Sequence, residues 1–204
     1  MAQGLSLVSQ RPAAKATRTE PAGDGGVWVF ITADICMFGL FFTIFTWDRS
    51  HNISLFEQSR RLLDPNIGLL NTIFLLTSSW FMVGAVHAAR SGRRRALLAF
   101  LSLAMLAGSG FAVSKIIEYS HKLQAGISML TNSFFMYYFI FTGIHYLHFL
   151  IGMVVLGILW SMGRRSNLPS EPRYLLWVES GACYWHMVDL LWLMLFPLLY
   201  LLRQ

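Results

Sequence analysis

Five apolar runs, each long enough to cross a bilayer and each set off by charged residues, take up most of this 204-residue chain. A hydrocarbon core about 30 Å thick takes roughly 20 residues of α-helix, and a helix satisfies its own backbone groups where no water can. The runs are Gly26 to Trp47, Ile67 to Ala88, Ala96 to Ile117, Phe134 to Met162 and Leu175 to Leu202. The last two exceed the need and are expected to tilt or to extend past the hydrocarbon. Nothing between the runs could bury a core of its own. The expectation is therefore an all-α, polytopic transmembrane bundle of five spans over residues 26–204. Residues 1–25 lack the apolar stretch of a secretory signal and carry Pro12, Pro21 and the run "GDGG", which predicts a disordered, exposed arm.

The net charge of +6 does not point to nucleic acid, because the basic residues sit in short clusters between the apolar runs. Their distribution reads as topology. Arg11, Lys15, Arg18, Arg90, Arg93, Arg94, Arg95, Arg164, Arg165 and Arg173 fall on one side, against Arg49, Arg60, Arg61, Lys122 and Arg203 on the other. An excess of Lys and Arg marks cytoplasmic loops, so the N-terminus is expected in the cytoplasm and the C-terminus in the periplasm. Arg90 with Arg93 to Arg95 could also meet anionic lipid headgroups. Cys36 and Cys183 lie far apart inside apolar runs and read as small core residues, not as a disulfide or metal pair.

Small residues mark where helices can close up: Ala104, Gly108 and Ala112 at a stride of four, and Gly84 with Ala88. Trp80, Tyr137, Trp160, Trp177 and Tyr200 read as an interfacial aromatic belt, and Trp185 and Trp192 as packing residues. No internal repeat of the secondary-transporter kind is visible.

Ionisable residues inside a membrane are costly and normally face the bundle interior with a partner. The fifth run holds Glu179, His186 and Asp189; at about 100° per residue the first two lie within about 20° of each other and the third about 60° further round. The fourth run carries Tyr138, Thr142, His145 and His148 within a sector of about 120°. The first holds Asp34, and the third ends with Lys115 and Glu118 at i, i+3. Three readings of these groups compete. They form a structural and lipid-contact network; or the histidines bind haem or metal, which would need His145 or His148 opposite His186; or Asp34, Glu118, Glu179 and Asp189 make a proton or solute path. The last two correspond to a free-standing membrane haem electron carrier and a proton-conducting transporter.

The segments "NTIFLLTSSWFMVGAVHAAR" at 71–90, "EYSHK" at 118–122, "SFFMYYFIFTGIHYLHFLIG" at 133–152 and "ESGACYWHMVDLLWLMLFPLLYLL" at 179–202 resemble subunit III of the haem–copper oxidases, the cytochrome c oxidase subunit III family. In the last segment Glu179, Tyr184, Trp185, His186, Val188, Asp189, Trp192, Leu195, Phe196 and Tyr200 match the family pattern; His145 with His148 and Glu118 with Tyr119 match two further pairs. The resemblance covers about Gly26 to Leu202. Many members have seven spans, and this chain resembles a form without the first two, so the lipid cleft those helices help to form is expected to be absent or incomplete. Asp34 stands where the family usually has Glu, and the short form with Asp there resembles the branch associated with nitric oxide reductase.

The resemblance implies an accessory, non-catalytic subunit in a bacterial cytoplasmic membrane, supporting the assembly, stability and lipid or proton environment of a catalytic haem–copper subunit. The oxidoreductase would be either a cytochrome c oxidase or a nitric oxide reductase. No catalytic, cofactor-binding or metal-ligating residue is expected in this chain. Haem and copper or iron would belong to the partner, and phospholipid would be bound. Asp34, Lys115, Glu118, His145, His148, Glu179, His186 and Asp189 would then be an intramembrane polar network or lipid contacts.

Overall fold

Where the sequence changes from apolar run to turn, the helices end on defined caps. The computed structural model describes residues 24–165 and 172–202, which form helices and turns with no strand among them. Six α-helices follow in order: α1 (Gly25–His51), α2 (Ile53–Arg60), α3 (Pro65–Arg90), α4 (Arg94–Gln124), α5 (Ser133–Arg164) and α6 (Pro172–Phe196), the last continuing into a π-helical turn, Pro197–Leu201. Five of them are long and apolar enough to cross a membrane. Residues 1–23, including most of the expected arm with Arg11, Lys15 and Arg18, lie outside the described residues, as does Arg203; Gly25, expected in the arm, is the first residue of α1.

The spans run beyond their apolar windows because the flanking residues still favour helix until a cap stops them. The Asp64 side chain accepts from the backbone N–H of Asn66 with Pro65 in the first turn, and Asn132 accepts from Phe135. At the other ends Gly92 (φ 64°) and Gly126 (φ 73°) supply the left-handed residue of Schellman caps. Arg93 and Gly92 donate back to Ala88 and Ala89, and Ile127 and Gly126 donate back to Lys122 and Leu123.

α3, α4, α5 and α6 form a closed ring, each packed on the next, while α1 lies outside it against α6 and reaches α5 through phenylalanines. Small residues set the close approaches. The Ser78 hydroxyl donates to the Ala104 carbonyl at 2.7 Å, Gly84 lies under Phe100, and Gly152 lies so close to the Trp185 indole that a methyl group there would come within 2.8 Å of it. Trp185 and Trp192 are fully buried, as packing residues should be.

The short helix α2 is not signalled by hydropathy, being eight residues long and mixed in character. Packing holds it: Phe56 sits on Phe45 (5.3 Å between ring centroids) and on Phe134 (5.7 Å), and Asn132 donates to Ser59 at 2.8 Å. Arg60 then donates to the Tyr200 carbonyl (3.2 Å) and Arg49 to the Leu202 carbonyl (3.3 Å), so two arginines cap the carbonyl end of the last span. Hydrogen bonds from Arg60 hold the Glu57 carboxyl below its ordinary value. At the opposite end Arg94 donates to the carbonyls of Gly163 and Arg164 and caps α5 in the same way.

Candidate functional site

A buried cluster at the α2 end of the ring is built on one helical step. Lys115 and Glu118, at i, i+3 on α4, pair at 2.8 Å with side chains only 1% and 3% exposed. A buried ion pair persists only when its remaining donors and acceptors are met. Here Tyr138 of α5 and Tyr200 of the π-helical turn both donate to the second Glu118 oxygen, at 2.7 and 2.6 Å, and Lys115 reaches the Tyr200 hydroxyl at 3.1 Å. The Lys115 ammonium also lies 4.7 Å from the Trp192 ring centroid, a cation–π contact strengthened by burial. Three spans are thereby joined. Tyr200 was expected in the aromatic belt; it is buried, because the wider turn beginning at Pro197 carries its ring inward.

Asp34 of α1 meets His148 of α5 at 3.2 Å, with Phe30 and Phe38 beside the imidazole. His148 Nδ1 lies 2.9 Å from the Ile144 carbonyl, which can only accept, so Nδ1 carries hydrogen. Nε2 and Asp34 therefore share one proton, either as imidazolium and carboxylate or as neutral imidazole and carboxylic acid. Both forms tie α1 to the ring.

The third group lies along the seam between α3 and α6. Glu179 accepts from Arg90 Nε at 2.9 Å, so the arginine read as a topology or headgroup residue is part of an interhelical link. His186 Nδ1 bonds to the Ser79 hydroxyl at 2.6 Å and lies 3.8 Å from Asp189, whose two carboxylate oxygens are buried without a hydrogen-bond partner among the described residues. Trp80, expected near a span end, stands next to Ser79 close to the middle of α3 and is 70% exposed.

His145 stands apart, fully buried between Phe111 (5.6 Å) and Trp192 (5.3 Å), with neither ring nitrogen hydrogen-bonded. The three intramembrane histidines thus have three different sets of neighbours, and no three His, Cys, Asp or Glu side chains among the described residues are gathered as metal ligands. The four carboxylates likewise go to different partners and none bonds to another. Tyr138, Tyr200, Ser79 and Trp192 were not singled out from sequence as partners of the charged groups. Their hydroxyl and indole chemistry was visible, but which helix each would meet was not.

A family model described as cytochrome c oxidase subunit III matches residues 16–203. The chain belongs to the cytochrome c oxidase subunit III family. Two similar relatives are the quinol oxidase subunit 3 of Bacillus spizizenii, 29% identical over 179 residues, and that of Bacillus subtilis, 28% identical over 178; each match covers 87% of this chain and 85% of the relative. With its five spans, this member of the subunit III family is a multi-pass protein of the bacterial cytoplasmic membrane. Shares that nearly equal also mean that those subunits have about the same length as this one. Shortness therefore does not single out the nitric oxide reductase branch.

Proposed function

We propose that the chain is an accessory subunit of a haem–copper respiratory oxidase, packed in the membrane against the catalytic subunit and supporting its assembly and stability without redox chemistry of its own. The observation that carries this reading is the family match across residues 16–203. The geometry supports it as well: Lys115, Glu118, Asp34, His148, Glu179 and Arg90 are engaged in links between helices. An oxygen-reducing partner is favoured over a nitric oxide reductase because the similar relatives are quinol oxidase subunits of matching length.

The positive-inside rule supports a cytoplasmic α3–α4 turn, hence a cytoplasmic N-terminus and a periplasmic C-terminus. Much of the basic charge at the α2 end is spent on the fold, in Arg49, Arg60 and Lys122, whereas Arg93 and Arg95 have no side-chain partner among the described residues. With Arg94 and Leu98 they line a hollow of about 550 Å³, suited to the headgroup of an anionic phospholipid.

The test is affinity purification of the tagged full chain from native membranes in mild detergent. A co-purified haem–copper subunit is expected, with oxygen consumption and bound phospholipid. Nitric oxide turnover without oxygen consumption would move the chain to the other branch. A chain recovered alone with its own Soret band, or one that passes protons in vesicles by itself, would contradict the accessory role. Lipid extracts holding only detergent would remove the phospholipid part.

A further inference from the structure

Seven of the eight intramembrane polar residues are hidden within this chain. The side chains of Lys115, Glu118, Asp34, Asp189, His148 and Glu179 are 1%, 3%, 4%, 5%, 11% and 12% exposed, and His145 is fully buried. His186 is the exception at 39%. It stands at the middle of the last span, bonded through Nδ1 to Ser79, also near the middle of its helix. Nε2 has no partner among the described residues, and behind the ring, 3.8 Å from Nδ1, lies the buried carboxylate of Asp189.

Acyl chains offer neither donor nor acceptor, so an imidazole edge turned to lipid at mid-bilayer loses its hydrogen bonds to water and gains nothing in return. A neighbouring protein helix can supply what lipid cannot. The surroundings have the anatomy of such a contact, a polar spot ringed by large apolar side chains. Leu190, about 40° round α6 from His186, is 51% exposed, and Leu76 and Val83, within about 60° of Ser79 on α3, are 46% and 54% exposed. Trp80, about 100° from Ser79, adds the side chain that most often dominates protein interfaces.

We infer that the α3–α6 seam around His186 is where a transmembrane helix of the catalytic partner docks, presenting a hydrogen-bonding side chain to His186 Nε2 at mid-bilayer. This rests on the accessory-subunit reading and adds to it the face of contact and the chemistry of the helix that covers it. A second copy of this chain is the alternative occupant.

The experiment places a photo-crosslinking benzoylphenylalanine at Leu190 or Leu76 of the full chain, with Leu106 of α4 and Val154 of α5 as controls on other exposed faces, and irradiates native membranes. Adducts with the haem–copper subunit are expected from Leu190 and Leu76 at fivefold or more above the controls. Adducts with lipid only, or with a second copy of this chain, would overturn the inference while a co-purifying partner kept the accessory role intact. Absence of any haem–copper subunit from the purified material would take down both. In parallel, His186→Ala should lower the co-purified partner at least fivefold with only a small shift in the unfolding midpoint of the isolated chain, from the lost Ser79 bond, and His186→Gln, which keeps a polar end, should restore the partner to within twofold. Equal loss in both variants would also overturn the inference.

Discussion

The Lys115–Glu118 cluster and the His186–Asp189 seam are made from similar materials and differ in completeness. In the first, an ammonium, a carboxylate, two phenols and an indole face contribute, and every hydrogen bond Glu118 accepts comes from within the chain. In the second, one imidazole nitrogen bonds to a serine, the other is open, and a buried carboxylate lacks a hydrogen bond. A closed cluster serves the fold of its own chain, since removing any member strands the rest in a medium that cannot replace it. On the docking inference an open one serves association, through the exposed Nε2 edge of His186, the Asp189 oxygens being buried within the chain.

The largest effect is expected from breaking the closed cluster. Glu118→Ala leaves Lys115 buried and unpaired and should cost the isolated chain about 3–5 kcal/mol in detergent, read by thermal or denaturant unfolding. Replacing both partners, Lys115→Met with Glu118→Leu, should recover only the part of that loss due to the orphaned charge, since the Tyr138 and Tyr200 hydroxyls still lose their acceptor. Overpacking comes next: a methyl group at Gly68 would come within 2.5 Å of the Phe196 ring, so Gly68→Ala should cost about 1–3 kcal/mol by the same assay. Removing one hydroxyl should matter less. Tyr200→Phe deletes one of two phenols on Glu118 and should cost about 1 kcal/mol, with Lys115 still paired.

Asp34→Asn sharpens the comparison from another side. Neutral His148 presents Nε2 as an acceptor, so an amide at residue 34 can donate to it, and the α1 link should survive better than in His148→Ala. Equal loss of protease resistance at α1 in the two variants would show that the pair needs its charge. The smallest effect belongs to the surface pair on α2. Glu57 titrates lower in the folded chain than its ordinary 4.5, so its contribution is present above that value and is lost as pH falls through the lower, folded value. Glu57→Gln should lower stability slightly at neutral pH, leave it nearly unchanged well below the folded value, and so flatten the acid limb of the profile.

Much of the architecture was legible in the sequence because spans are selected by length and hydropathy, which are local properties. The partners of the polar groups were not, since they depend on how helices cross. Lys115 and Glu118 could be paired by their spacing on one helix, but that Tyr138 and Tyr200 would share one oxygen of Glu118 depends on a π-helical turn whose only trace in the sequence is Pro197. The helix α2 was invisible because Phe56 earns its place through aromatic contacts with α1 and α5, not through a periodic pattern. Trp80 misled because an aromatic residue in an apolar run can equally be a belt residue or part of an interface, and only its position beside Ser79 puts it at mid-span.

The most direct measurement pairs two quantities on two variants: the stability of the isolated chain and the amount of haem–copper subunit co-purified with it, for Glu118→Ala and His186→Ala. Glu118→Ala is expected to lose the isolated fold, whereas His186→Ala is expected to keep the fold and lose the partner. The reverse pattern, an unstable His186→Ala chain and a Glu118→Ala chain that folds normally but fails to assemble, would contradict both expectations.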